Sequence, residues 1–354
     1  VTGLTIALSD VPDWDALGQR WRALEERSNG SFFQSWTWTG ALAAERFPNP
    51  VLVEAREDGR TVALALFNRR GRRLYLGESG DPAMDGVYIE FNGVLTESGR
   101  EAELTARCLR AARGAGGLLP RTLILSGIDG MTLAEASRLS PAIDSRAAAA
   151  PFADLSGLSG PFLDTLSANT RQQIRRSDRG YARSGPIAID RAATVGDALD
   201  RLDALAVWHQ KTWIARGRPG AFARPWFRRF HRAVIAEGLP RGEIDLLAIA
   251  AGPRPVGFLY NFRWRGTSLA YQSGFDYEGC SPHEKPGLTC HHQAIQAAIG
   301  WGLARYDFLA GDDRYKRSLS HGAETLHWAT VETPLSLRAL ARRARHASRA
   351  LMAG

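Results

Sequence analysis

The feature that most constrains this chain is an order of elements that occurs twice. In the first half, LTIALSD (4–10) alternates as a strand does, and WDALGQRWRALEER (14–27) and SFFQSWTWTGALAAE (31–45) have helical spacing, the second with Ser31 placed to cap it. VLVEARED, TVALALFNRR and RRLYLGES then read as three strands separated by glycine-containing turns. A helix over 99–114, a strand at TLILSGI (122–128) and a short helix near 132–138 follow. The second half repeats the order. Its strand is PIAIDRA (186–192) and its helices span 195–215 and about 224–237, the latter opened by Arg224-Pro225. Three strands follow at 243–250, 254–264 and 267–276, then a helix to about Gly302. YDFLA (306–310) reads as a short strand, DDRYKRSL (312–319) as a short helix and LHWATVE (326–332) as a last strand. Strands on both sides of a helix demand an α/β fold with a mixed sheet. The repeat implies two such units, 1–155 and 156–354, joined by the Gly/Ser-rich passage that starts at PFADLSGLSG.

Two units suit a chain of 354 residues, of which 44% are hydrophobic. No apolar run reaches the roughly 18–20 residues of a membrane span. The first residues carry no basic stretch followed by an apolar core, so no signal peptide is expected. Cys108, Cys280 and Cys290 form neither a CxxC pair nor a zinc-spaced set. A reducing cytoplasm is therefore the expected location, and no metal is expected. The net charge is +8, carried almost wholly by arginine, because Lys211, Lys285 and Lys316 are the only lysines. That charge suits phosphate-bearing or acidic ligands, or an anionic membrane surface. No zinc finger, aromatic RNA-binding motif or recognition helix argues for nucleic acid.

Two stretches point to an anion. SPHEKPGLTCHHQAI (281–295) places Lys285, Pro286 and Gly287 where a helix begins, and a helix start offers unpaired N–H groups at its positive end. A basic helix over 161–182 groups Arg171, Arg175, Arg176 and Arg179 within two turns, either as a solvated face or as a wall for phosphates. The last segment, SLRALARRARHASRALMAG (336–354), is a basic amphipathic helix, suited to packing on the second unit or to lying on anionic lipid at the inner membrane face.

LSANTRQQIRRSDR (166–179), WHQKTWIARGRPGAF (208–222), YQSGFDYEGCSPHEKPGL (271–288) and YDFLAGDDRYKRSL (306–319) resemble the double-GNAT branch of the GNAT acyltransferase superfamily. Its members are often labelled cellulose-biosynthesis acetyltransferases and are similar in layout to Fem-type aminoacyl transferases. The resemblance implies tandem GNAT-like domains, the first degenerate and the second holding an acyl-CoA donor. It implies a donor loop of His283, Glu284, Lys285, Pro286, Gly287, Leu288 and Thr289, with amides after Gly287 meeting the diphosphate. Only one glycine of the usual glycine-rich loop is present, preceded by Pro286. The resemblance also implies that the fourth and fifth strands of the second unit part to admit the acyl group.

Amine acylation needs a neutral amine, a polarised carbonyl and a proton for the leaving thiolate. Asp276, at the end of the fourth strand, suits the amine or a turn, and Tyr271 suits the thiolate or packing. Asp312, Tyr315 and Lys316 follow the fifth strand and lie in a family-like motif. His209, in WHQKTW, is the general-base candidate outside the strands. The expected activity is N-acyl transfer from acyl-CoA to a primary amine, whether an amino sugar, a small metabolite or a lipid amine such as a sphingoid base. The alternatives are a Fem-like transferase using aminoacyl-tRNA and a non-catalytic module that binds acyl-CoA or glycan.

Overall fold

The computed structural model describes residues 3–11, 13–85, 89–114 and 120–332. The chain divides into two units. Of the described residues, one holds those up to 147 together with 325–332, and the other holds 148–324. The expected boundary at 155 follows chain order, whereas strand pairing does not.

The first unit contains β1 (Leu4–Ser9), α1 (Trp14–Glu25), α2 (Trp36–Arg46), β2 (Pro50–Glu57), β3 (Arg60–Arg70), β4 (Arg73–Leu76), β5 (Leu95–Thr96), α3 (Glu101–Gly114), β6 (Thr122–Ile128) and α4 (Gly130–Ser137). Its sheet runs β1-β2-β3-β4-β6, with β4 and β6 parallel and the other neighbours antiparallel. β5 is a short antiparallel addition to β3. The last strand is the C-terminal part of β13 (Gly322–Val331), where His327 pairs with Ile128 and Ala329 with Leu125. Val53, Val62, Phe67, Leu123 and Ala329 share a core with Leu104 and Leu109 of α3.

The second unit contains α5 (Ala168–Tyr181), β8 (Ile187–Arg191), α6 (Val195–Ala215), α7 (Pro225–Gly238), β9 (Ile244–Ala251), β10 (Arg254–Trp264), β11 (Thr267–Phe275), α8 (Pro286–Gly300), β12 (Arg305–Asp307) and α9 (Arg314–Leu319). The sheet order is β8-β9-β10-β11-β12, parallel only between β11 and β12. Its last strand is the C-terminal part of β7 (Ile143–Asp154), where Asp154 pairs with Arg305 and Phe152 with Asp307. Each sheet is thus completed by the strand that follows the other repeat in the chain. Residues 148–154 fall in the second unit and 325–331 in the first, where chain order puts them the other way round.

Local chemistry explains most boundaries. Thr194 caps α6 through the Asp197 amide, and Pro225 opens α7 where its missing N–H costs nothing. α2 starts at Trp36 rather than near residue 31, because Ser35 caps it, while the Ser31 amide donates to Gln34 Oε1 at a short 3-10 turn. The basic helix also starts later than expected. Ser167 caps α5 at the Thr170 amide, and a separate 3-10 turn covers Phe162–Thr165. The segment 336–354 lies outside the described residues. No described helix is long and apolar enough to cross a membrane.

Candidate active site

β11 and β12 pair only from Thr267↔Arg305 to Leu269↔Asp307. Beyond that point they part. β11 runs on to Phe275 alongside β10, while Phe308 and Gly311 donate their amides to Pro151 and Ala149 of β7. This is why YDFLA forms only a three-residue strand: its second half follows the other neighbour. β11 also bulges here, since Gln272 faces Tyr260 and Ala270 faces Asn261, leaving Tyr271 as the extra residue. The opening is bordered by rings. Tyr315 of α9 stacks on His291 of α8 at 5.1 Å and 18°, and Phe275 and Phe308 lie edge-on to His291 at 6.0 and 5.6 Å.

The start of α8 lies at the end of this opening. Pro286 is its first residue, and Lys285 caps it without a side-chain bond. A chain of hydrogen bonds from α5 fixes the turn. The Lys285 amide donates to Ser177 Oγ at 2.8 Å, Ser177 meets Thr289 Oγ1 at 2.8 Å, and Thr289 donates to Asp178 at 2.8 Å. His292 Nδ1 completes the chain at Asp178, 3.0 Å away. A carboxylate only accepts, so every proton in this chain points toward Asp178. Glu284 is buried and bonded to Arg254 at 2.8 Å and to the Ser281 amide at 2.8 Å. Arg254 and the Ser281 amide together hold its carboxyl below the usual carboxylate range. The half-buried Gly287 and Leu288 supply amides that a first helical turn leaves without intrahelical acceptors. Outside them stand exposed Lys285 and the pair Arg176–His283 at 2.7 Å. Gly287 turns its Cα toward Phe275 and Tyr277, and the Phe275 ring and the Tyr277 hydroxyl lie 3.4 and 3.6 Å from where a Cβ would sit.

Beside the end of β11 is a cavity of about 320 Å³. Trp208, Thr212 and Ala215 of α6 form one wall, and Phe275, Asp276 and Tyr277 form another. Lys211 and Glu278 pair at 2.7 Å between the two walls.

Residues 168–317 match the sequence model of the acetyltransferase (GNAT) domain. The second unit carries a GNAT domain. On that match the second unit is an acyltransferase domain of the GNAT type. The fold of the whole chain is similar to that of FemX, at 10% identity and a TM-score of 0.61, over 88% of this chain and 95% of FemX. It is likewise similar to L-PGS from Bacillus licheniformis, at 12% identity and a TM-score of 0.57, over 95% of this chain and 97% of that one. No curated protein matches the sequence.

Within the GNAT domain, the residues singled out from sequence fall into distinct places. Asp276 lines the cavity, and its Oδ1 accepts the Gly279 amide at 2.9 Å. Tyr315 is half-buried at the parted strands, and burial raises its phenol above the ordinary value. Tyr271 is buried among His231, Tyr260 and Phe262. His209 is buried against Trp213 and Phe222, with Nδ1 3.2 Å from the Ser273 carbonyl oxygen and Nε2 without a partner. Burial pushes its pKa down to about 4. Lys316, a site candidate on the family-like motif, has its Nζ buried on the carbonyls of Leu309 and Ala310 at 3.2 and 2.8 Å, where it holds the turn after β12. Asp312 is exposed and paired with Arg317. In the donor loop, Glu284 and Thr289 point their side chains into the fold, and Pro286 is buried. His283, Lys285, Gly287 and Leu288 remain at the surface or half-buried.

Sequence reasoning missed Ser177, Asp178, Trp208, Phe275 and Tyr277. The Asn-Thr-Arg to Ser-Asp-Arg stretch read as a basic face and as part of the family resemblance, with no role for Ser177 and Asp178, the two short polar residues that fix α8. Among the described residues, no group of three or more His, Cys, Asp or Glu side chains is placed to hold a metal. The first unit handles its own parallel pair differently. Asn92 donates to the Leu76 and Ser126 carbonyls at 3.2 and 3.1 Å, wedged between β4 and β6. Ile89 presses on Gly127 so closely that a Cβ there would lie 2.1 Å from its carbonyl oxygen. The equivalent opening is filled by the protein's own chain.

Proposed function

We propose that the chain transfers an acyl group from a coenzyme A thioester to a primary amine where β11 and β12 part. The observation that carries this reading is the parting itself, bounded at one end by the start of α8. The amides of Gly287 and Leu288 suit a diphosphate, and Lys285 and Arg176 supply positive charge beside them. The bound donor supplies the activated acyl carbon. Asp276 pairs with the acceptor's ammonium group on entry; the nitrogen attacks the acyl carbon only after losing one proton to water, and Asp276 accepts the second proton, which the nitrogen sheds as the new bond forms and the carbon–sulfur bond breaks. Tyr315, kept protonated by burial, provides the proton that the departing sulfur takes up. His209 anchors α6 to β11 through Ser273.

An aminoacyl group carried on tRNA is the second reading. It is favoured by the cover that Phe275 and Tyr277 give Gly287, which narrows the approach to the helix start. Thermal unfolding with acetyl-CoA, a long-chain acyl-CoA or charged tRNA separates the two. A rise in Tm with a coenzyme A thioester, reduced by Lys285→Glu, is expected. A rise with charged tRNA alone would overturn the first reading.

A further inference from the structure

We propose that the acceptor amine carries an apolar body, alkyl or aryl, seated in the cavity between α6 and the end of β11. This rests on the acyl-transfer reading above and names its acceptor class. The cavity, about 320 Å³, is within the range of small-ligand sites. Its walls are the indole of Trp208, the rings of Phe275 and Tyr277, and the methyl-bearing side chains of Thr212 and Ala215. Trp208 is held in place by Phe258, 5.3 Å between ring centres. Sugar hydroxyls against these rings would lose water without gaining partners, whereas methylene or aryl surface is favoured there.

The charges complement an amine. Lys211 is neutralised by Glu278 at 2.7 Å. Arg216, at the end of α6 and 5.8 Å from the Trp213 ring, also lines the cavity. The Asp276 carboxylate, whose Oδ1 accepts the Gly279 amide, is the lining's anion for an ammonium group. The apolar character continues outside. Val207 and Ile214, seven residues apart on one face of α6, are 56% and 66% exposed, and Tyr277 is 47% exposed.

The test uses the full chain with acetyl-CoA and four amines: ethylamine, hexylamine, phenethylamine and glucosamine. Thiol release and product mass are the readouts. The expected result is a kcat/KM at least tenfold higher for hexylamine and phenethylamine than for ethylamine, with glucosamine no better than ethylamine. Ala215→Trp, at an exposed position on the cavity rim, should abolish that gain while leaving the acetyl-CoA thermal shift in place. Preference for glucosamine, or rates indifferent to the apolar body, would overturn the proposal. If no amine is acylated, the transfer reading fails by itself. A phenethylamine-induced rise in Tm that Ala215→Trp removes would still support the cavity's preference, and the absence of such a rise would overturn that as well.

Discussion

His209 Nδ1 lies 3.2 Å from the carbonyl oxygen of Ser273, so the ring must donate there and its buried Nε2 carries the lone pair. Protonating Nε2 would place a charge among Trp213 and Phe222, and burial accordingly lowers the pKa from 6.5 to about 4. Between those values the unfolded chain binds more protons than the folded one. Stability is therefore full above about pH 6.5 and falls as pH drops toward 4, by roughly 3 kcal/mol from this residue. His231 and His291, both pushed down to about 3 by burial, act with the same sign. Urea midpoints should fall from pH 7 to pH 5, and His209→Gln should flatten the slope. Midpoints unchanged over that range in the unsubstituted chain would contradict this.

Asp276→Asn should lower kcat by about 10²–10⁴ while the acetyl-CoA thermal shift persists. The substituted side chain still offers an oxygen to the Gly279 amide, so the loop should keep its shape. Turnover within a factor of two of the unsubstituted chain would remove Asp276 from the reaction.

Ser177→Ala breaks the hydrogen-bond chain in its middle. The Lys285 amide loses its acceptor and Thr289 loses a donor, at a cost of about 1–3 kcal/mol. Because that amide belongs to the turn that opens α8, acyl-CoA affinity should fall with stability. A calorimetric titration showing unchanged affinity would separate the turn from the donor.

Gly127→Ala should destabilise the first unit severely. The residue has φ +67°, and its Cβ would lie 2.1 Å from the Ile89 carbonyl oxygen, a backbone atom that cannot swing aside. Loss of soluble protein, or a Tm many degrees lower, is expected. Normal stability would mean that Ile89 does not fill the gap between β4 and β6.

Much of this fold is legible in the sequence where local signals agree. The spacing over 195–215 matches α6, and the alternation over 254–264 matches β10, because each carries its own cap, turn and apolar period. β7 is invisible to the same reasoning. SRAAAAPFAD lacks β-branched residues and contains Pro151, so its strand character comes from pairing with β12, more than 150 residues away in the chain. The candidate site divides the same way. Lys285-Pro286-Gly287 announces a helix start, and α8 begins at Pro286. That Thr289 and Glu284 face inward depends on Asp178 and Arg254, which local sequence around the loop does not reveal. Lys316 shows the limit most clearly. A lysine beside a family-like tyrosine suggests a place at the site, and only the fold shows that the left-handed turn at Leu309, φ +60°, leaves carbonyls that its ammonium satisfies.

The reciprocal placement of the closing strands has a genetic consequence. A gene cut at the joint between the repeats would encode two fragments, each carrying a strand it cannot use and each presenting a bare sheet edge where the other's strand belongs. Such edges invite aggregation, and mixing the fragments should restore solubility that neither has alone. Any ancestor or engineered hybrid that exchanges one half must therefore move its closing strand with it.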